Sequence, residues 1–106
     1  MTFGSVIREA RRRASLTQKD LASLIKKENG MPISPPYLND LEHDRRNPPS
    51  EYLLTQFAQF LGLSPDYLCY VAGYLPSDLR DFSQPPERVE AAFRAFREAL
   101  RAPNNS

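Results

Sequence analysis

Hydrogen-bonding and charged side chains are concentrated in one short stretch of the chain, residues 33–49. Ser34 can accept hydrogen bonds from free backbone N–H groups and Pro35 suits a first helical turn, so a helix is expected to begin here. At about 100° per residue, its buried side carries Leu38 and Leu41. The opposite face carries small, polar or flat groups, namely Pro36, Asn39, Asp40 and His43, with Tyr37 on the flank. These side chains can form hydrogen bonds and planar contacts with a partner molecule.

A basic turn follows this helix directly. The helix is expected to end near Asp44, a residue type that tolerates the left-handed conformation, and a Pro-Pro pair prevents any continuation. Between these points lie Arg45, Arg46 and Asn47. Positive charge is therefore expected beside the exposed face.

Composition limits the classes of protein that could carry such a face. The 106 residues, 41% hydrophobic and 25% charged, fit one domain with a single modest core. No apolar run is long enough to cross a bilayer, and residues 1–5 lack the basic-then-apolar order of a secretory signal, so we expect a cytosolic protein with no membrane partner. The net charge of +1 does not by itself indicate nucleic-acid binding, which would have to come from clustered arginines.

Catalysis and metal binding are not expected. The chain has a single histidine, His43, and a single cysteine, Cys69, so no metal-ligand set and no nucleophile with its base can be assembled. Cys69 lies in an apolar segment, which favours a packed, reduced thiol. The sequence therefore predicts neither an enzyme nor a bound cofactor.

Helical periodicity accounts for the chain, and no strand is expected. Capping residues and glycine stops predict helices over 3–14, 18–27, 35–44, 51–61 and 65–73, which suit a compact all-α bundle. The second helix is expected to bury Leu21, Leu24 and Ile25 and to stop at Gly30, and Ser50 is expected to cap the fourth. The first helix is expected to turn a cluster of arginines outward, namely Arg8, Arg11, Arg12 and Arg13.

The C-terminal quarter differs from the rest. Residues 75–86 mix turn formers with one possible helical turn and are interpreted as a linker after a first domain at 1–74. Residues 87–101 predict an amphipathic helix, and 102–106 a frayed tail. The apolar stripe of that helix consists of Val89, Phe93, Phe96 and Leu100. Two interpretations stay open, because the helix is too short for an isolated coiled coil: the stripe folds back onto its own bundle, or it pairs with a second copy.

Four sequence pieces occur in a fixed order along the first three quarters of the chain. They are Leu16-Thr17-Gln18-Lys19-Asp20-Leu21-Ala22, Tyr37-Leu38-Asn39-Asp40-Leu41-Glu42, Arg45-Arg46-Asn47-Pro48 and Leu61-Gly62-Leu63. This series resembles the Xre/Cro-type helix-turn-helix of phage and bacterial repressors. The resemblance implies a five-helix repressor-like DNA-binding domain, to which the C-terminal amphipathic helix is added.

The resemblance also implies that the helix beginning after Ser34 enters the major groove of DNA. Its exposed face would then meet base edges. Asn39 can donate and accept at adenine, Asp40 can accept from cytosine, and His43 can do either according to its tautomer. Pro36 stands where repressors often carry a polar base-reading side chain, and it could pack on a thymine methyl group.

Flanking residues would contact phosphates, which positions the protein without reading sequence. The resemblance assigns this role to Thr17, Gln18, Tyr37, Arg45, Arg46 and Asn47. Thr17 and Gln18 are also ordinary helix-start residues, so a purely structural role is their alternative. Arg11 and Glu42 stand where the family places a structural ion pair between the first helix and the recognition helix.

Two departures from the family pattern affect these expectations. About six extra residues, within 27–32, separate the second and third helices. We expect a longer second helix and a looped return that leaves Ser34 in place. Asp44 replaces the glycine that often ends the recognition helix, and its carboxylate is expected to face a phosphate-rich neighbourhood unless Arg45 or Arg46 neutralises it.

The resemblance implies a sequence-specific transcriptional regulator of a prokaryote or phage, acting on nucleoid DNA in the cytoplasm. A repressor that binds an inverted-repeat operator as a homodimer is expected, because one short helix contacts only a few base pairs of double-stranded DNA. The alternative is an antitoxin or another protein-interaction module, whose helix at 87–101 docks on a toxin, protease or sensor. An RNA binder is disfavoured because no sheet with stacking aromatics is expected.

Overall fold

The computed structural model describes residues 1–104, and its regular structure is helical. The helices are α1 (Phe3–Arg13), α2 (Gln18–Leu24), α3 (Pro35–Glu42), α4 (Glu51–Leu61), α5 (Pro65–Ala72) and α6 (Pro86–Arg101). A short 3-10 turn, Ser77–Leu79, lies between α5 and α6. Within residues 1–104 there is no β-strand, only an isolated bridge between Lys26 and Pro32. The predicted all-α bundle is confirmed.

The core is built around α1, which packs against α3, α4 and α5, while α2 packs against α3. Fully buried side chains come from α1 to α5 and include Ile7, Leu21, Leu38, Leu41, Leu54, Phe57 and Leu68. Burying each such side chain contributes about 1.5–3 kcal/mol. The inner side of α3 is therefore fixed by the core, and its other side faces solvent.

Most helices start at a hydroxyl that accepts a backbone N–H three residues later. These caps are Thr2, Thr17, Ser34 and Ser64. Ser50 occupies the cap position of α4, but its hydroxyl accepts no N–H of that helix, so the predicted side-chain cap is wrong. Glu51 lies in the first turn of α4 and complements the positive end of the helix dipole.

The second helix is shorter than predicted. It ends at Leu24 instead of continuing to Lys27, and Leu24 is 37% exposed instead of buried. Ile25 is fully buried in an extended conformation, which suits its β-branched side chain. Gly30 has φ of +85° and lies in a loop turn, not at a helix end. The prediction of a longer second helix is wrong, because Ile25 enters the core in an extended conformation and the helix ends before it.

Residues 25–33 form a hairpin, which we call the 25–33 hairpin. The backbone N–H of Lys27 donates to the carbonyl of Met31 at 2.8 Å, and that of Ile33 donates to the carbonyl of Ile25 at 2.9 Å. The extra residues are therefore accommodated by backbone hydrogen bonds within this segment.

Gln56 of α4 holds this hairpin in place. Its Oε1 accepts the N–H of Lys26 at 2.7 Å, and its Nε2 donates to the carbonyl of Lys26 at 2.8 Å. This pair of bonds satisfies both backbone groups of one residue. As a result α3 still begins directly after Ser34, as predicted.

Asp44 joins the end of α3 to the start of α1. Its carboxylate accepts the hydroxyl of Thr2 at 2.6 Å and the N–H of Gly4 at 2.9 Å. Neither Arg45 nor Arg46 neutralises this charge, because both pair with Asp40. Free N–H groups and the dipole at the start of α1 balance it instead. Asp44 itself has φ of +58°, the left-handed conformation predicted for it.

Gly4 makes the close approach of α1 and α3 possible. A Cβ at this position would meet the carbonyl oxygen of Leu41 and would lie 2.7 Å from that of Glu42. Only glycine fits such a site without displacing the backbone.

The last helix, α6, is exposed to solvent along almost all of its length. No residue of α6 is buried, although Phe96 meets Tyr70 of α5 edge-on, with 6.2 Å between ring centroids. The preceding linker is anchored where the N–H of Ser77 donates to Glu51 at 2.9 Å. Of the predicted frayed tail at 102–106, residues 105 and 106 lie outside the described residues.

Candidate nucleic-acid interface

One face of α3 is polar and accessible. Its two leucines are buried in the core, whereas Pro36 and His43 are exposed and Asn39 and Asp40 are half-exposed. The four residues predicted to meet base edges therefore share one surface.

A buried ion pair fixes the inner edge of this surface. Arg11 donates through Nε to Glu42 at 2.6 Å and through Nη2 to the second carboxylate oxygen at 2.9 Å. Arg11 Nη1 also donates to the carbonyl of Leu16 at 2.8 Å. Because Glu42 is only 1% exposed, its charge requires such a partner. The prediction that Arg11 points outward with Arg12 and Arg13 is therefore wrong, whereas these two neighbours are exposed.

Gln18 extends this ion pair to the exposed face. Its Nε2 donates to Glu42 at 3.1 Å and to Oδ1 of Asn39 at 3.0 Å. Both N–H bonds of the Gln18 amide are thus used within the protein, and a phosphate contact by this group has to replace one of them. Asn39, whose oxygen already accepts one hydrogen bond, retains its amide N–H groups as donors.

A backbone oxygen orients His43. Its Nδ1 lies 2.8 Å from the carbonyl oxygen of Asn39. Because a carbonyl oxygen can only accept, Nδ1 carries the proton, and Nε2 of the neutral ring is an acceptor. The structure thereby assigns the tautomer that the sequence left open.

Asp40 shares its carboxylate with two arginines of the following turn. Nε of Arg45 lies 3.1 Å from one oxygen, and Nε of Arg46 lies 3.8 Å from the other. The arginine side chains are 56% and 60% exposed, and pairs at this exposure are worth about 0–1 kcal/mol. Both guanidinium groups can therefore turn towards another anion at little cost.

Tyr37 lies on the flank of α3, beneath Arg46. The guanidinium carbon of Arg46 is 5.6 Å from the centroid of the tyrosine ring. Burial raises the pKa of the Tyr37 hydroxyl, partly opposed by Arg46. The hydroxyl is therefore protonated at neutral pH and can donate a hydrogen bond.

Thr17 and Asn47 complete the predicted phosphate-binding set. The Thr17 hydroxyl oxygen accepts the N–H of Asp20 at 3.0 Å and so performs the structural role that was its alternative. Asn47 is exposed in the turn after α3.

Gly4 and Gln56 also shape this surface, although neither was predicted to do so. Gly4 sets how closely α3 approaches α1, and a glycine inside an otherwise good helix pattern is a signal that could have identified it. Gln56 carries no such signal, because a polar residue on the outer side of a helix is ordinary.

Two observations concern metal binding and thiol reactivity in the described residues. Within residues 1–104, no group of His, Cys, Asp and Glu is arranged to hold a metal ion. Burial raises the pKa of the Cys69 thiol, and the nearby Glu51 raises it further, which makes a poor nucleophile. No helix in this part of the chain is long and apolar enough to cross a membrane.

Comparison with known proteins agrees with this geometry. A family model described as helix-turn-helix matches residues 7–68, which is more than half of the chain. The match begins in α1, ends in α5 and includes α2 and α3 with the 25–33 hairpin between them. Searches of curated proteins and of solved structures gave no significant match.

Proposed function

The chain belongs to the Xre/Cro-type helix-turn-helix family of DNA-binding transcription regulators, and we propose that it is a repressor that binds an inverted-repeat operator as a homodimer. The observation that supports this most is the outer face of α3. Its inner side is locked in the core, and a hydrogen-bonded chain from Arg11 through Glu42 and Gln18 reaches Asn39. A face held in this way suits recognition in a groove. The proposal places the protein in the cytoplasm, on nucleoid or phage DNA, without an enzymatic activity.

Base contacts come from the middle and end of α3 in this proposal. Asn39 donates to a purine N7, because its oxygen already accepts from Gln18, which points its amide N–H groups to the exposed side. His43, one turn later, accepts through Nε2 from an exocyclic amino group of adenine or cytosine. Asp40 accepts from a cytosine amino group once its arginines turn to phosphates, and Pro36 packs on a thymine methyl group.

Phosphate contacts flank these residues on both sides of α3. On one side they come from Tyr37, Arg45, Arg46 and Asn47, and on the other from Thr17 and Gln18. Gln18 binds a phosphate by giving up its hydrogen bond to Glu42 while it keeps the one to Asn39. In that arrangement one side chain positions a base-reading group and the DNA backbone together.

Self-association is assigned to α6, which gives a DNA-binding domain at 1–74, a linker at 75–86 and a dimerisation helix at 87–101. The stripe of α6 remains 40–58% exposed at Val89, Phe93, Phe96 and Leu100. Tyr70, which meets Phe96, is itself 58% exposed. Burying apolar surface yields about 25 cal/mol per Å², and a second copy supplies a matching surface.

Selection of DNA from a random pool, followed by binding measurements over a range of salt, tests the DNA contacts. Asn39→Ala should cost about 1–3 kcal/mol at one base pair and relax the preference there. Arg45→Ala should weaken all sequences about equally and reduce the salt slope by about one. Arg12→Ala, which removes an exposed arginine from α1, is the matched control. Salt-insensitive binding, or an equal effect of Arg12→Ala, would contradict the phosphate assignment.

Truncation after Phe82 tests the dimerisation helix. The mass measured by light scattering should fall from that of a dimer to that of a monomer, and Phe93→Asp should do the same. Arg94→Asp, one position along α6, should leave the dimer intact. An unchanged mass after truncation would instead support the fold-back of α6.

A second candidate function is an antitoxin or another protein-interaction module. It is favoured by the same exposed stripe, because an uncovered amphipathic helix can equally dock on a different protein. Copurification of a partner with the full chain, lost on truncation after Phe82, would support this alternative. A full chain that purifies alone as a dimer would count against it.

A further inference from the structure

A groove lies between the 25–33 hairpin and the start of α3. Its volume is about 310 Å³, and it is lined by Lys27, Pro32, Ile33, Ser34, Tyr37 and Leu53. Tyr37 also lies beneath Arg46. Tyr37 therefore contacts Arg46 and lines the same groove as Lys27, so this surface carries two cations and a tyrosine side chain.

The two lysines of the hairpin differ in their partners. Nζ of Lys26 donates to the carbonyl of Ser23 at 2.6 Å, which ties it to the end of α2. Within residues 1–104, the Lys27 ammonium has no hydrogen-bond or ion-pair partner. Lys27 is therefore the cation of this groove that can still meet an anion.

The backbone beneath Lys27 is fixed in advance. Its own N–H donates to Met31 at 2.8 Å, and its neighbour Lys26 is held on both backbone groups by Gln56. A cation on a fixed backbone loses less conformational entropy on binding than one on a free loop.

We propose that the 25–33 hairpin extends the DNA-backbone contact, with Lys27 and the hydroxyl groups of Ser34 and Tyr37 binding a phosphate of the duplex beside α3. This inference rests on the proposed function, since it needs α3 in a groove of DNA. It gives the extra residues of the hairpin a role, namely one more phosphate contact next to Tyr37 and Arg46. The contact adds affinity for any sequence and specifies no base.

Paired lysine substitutions test the proposal. Lys27→Ala and Lys26→Ala are compared with the unsubstituted chain on the selected DNA site and on an unrelated duplex, across a range of salt. Lys27→Ala should lower affinity several-fold on both duplexes and make the salt slope shallower by about 0.9, the value for one phosphate. Lys26→Ala should leave the slope unchanged, and Lys27→Gln should behave like Lys27→Ala.

The outcomes separate this inference from the function on which it rests. An unchanged slope for Lys27→Ala, with normal binding by the unsubstituted chain, overturns the hairpin contact alone. Equal effects of the two lysine substitutions also overturn it, because general electrostatic attraction between the hairpin and DNA would then explain both losses of affinity. If the unsubstituted chain binds no DNA in the selection, the proposed function itself fails. Circular dichroism checks the folding of the variants. We expect them to be folded, because neither lysine side chain is part of the core.

Discussion

Removing one partner of the buried ion pair between Arg11 and Glu42 should strongly destabilise this small domain. Replacing Arg11 by Met removes both hydrogen bonds to a carboxylate that is 1% exposed. Gln18 then remains as its hydrogen-bond donor, at 3.1 Å, and carries no charge. A buried charge left in this way costs about 3–5 kcal/mol.

This loss is a large part of the total unfolding free energy of the domain. A domain of this length has about 5–15 kcal/mol of unfolding free energy. The midpoint of thermal unfolding should therefore fall by roughly 15–30 °C. The double variant Arg11→Met with Glu42→Leu removes both charges, so it should recover all but about 1–2 kcal/mol, the remaining cost being the lost donor to the carbonyl of Leu16.

Urea denaturation of the two single variants and the double variant gives the coupling energy between these residues. We expect at least about 2 kcal/mol, because the two side chains touch directly. A loss below about 1 kcal/mol for Arg11→Met, or single losses that simply add in the double variant, would refute this reasoning. Exposed Arg12→Met is the control and should change the unfolding free energy by less than about 0.5 kcal/mol.

Three further predictions concern helix ends and the linker. Gly4→Ala should cost about 2–3 kcal/mol in urea denaturation, because the new methyl group meets backbone oxygens of α3, whereas Glu9→Ala on the exposed side of α1 should cost little. Ser15 has φ of +58°, so Ser15→Gly should raise the unfolding free energy by up to about 1 kcal/mol, and a decrease would contradict strain there. Hydrogen bonding from Ser77 holds the pKa of Glu51 below its ordinary value of 4.5, so the linker contact is stable above that pH and is lost as the pH falls through the lowered pKa. The NMR shift of the Ser77 amide should follow this titration and should be flat in Glu51→Gln.

Features with local causes could be predicted from the sequence. Ser34 and Ser64 each precede a proline, and both start a helix where predicted, because a hydroxyl cap and a proline at the first position act within one turn. The buried side of α3 followed from the spacing of Leu38 and Leu41 for the same reason. Gly62 closes α4 in the left-handed conformation, as its position indicated.

Features that depend on distant partners could not be predicted. The hairpin is held by Gln56, which lies 30 residues from Lys26, and no local pattern marks that pairing. Asp44 accepts the backbone N–H of Gly4, 40 residues away, although two arginines are its immediate neighbours in sequence. In both cases a long-range hydrogen bond satisfied backbone groups that local side chains left free.

The candidate site depends both on locally determined features and on contacts between distant residues. Together they determine which hydrogen bonds its side chains can offer to a partner. Helical spacing placed Asn39 and His43 on the outer face of α3, but their residue types left open whether each side chain donates or accepts a hydrogen bond. Bonds inside the protein narrow this choice, because the oxygen of Asn39 already accepts from Gln18, and Nδ1 of His43 already donates to the carbonyl of Asn39. In the free protein Gln18 is oriented in turn by Glu42, which Arg11 neutralises, so the face is arranged before DNA binds. A substitution at Arg11, away from the exposed face, should therefore alter base preference as well as stability.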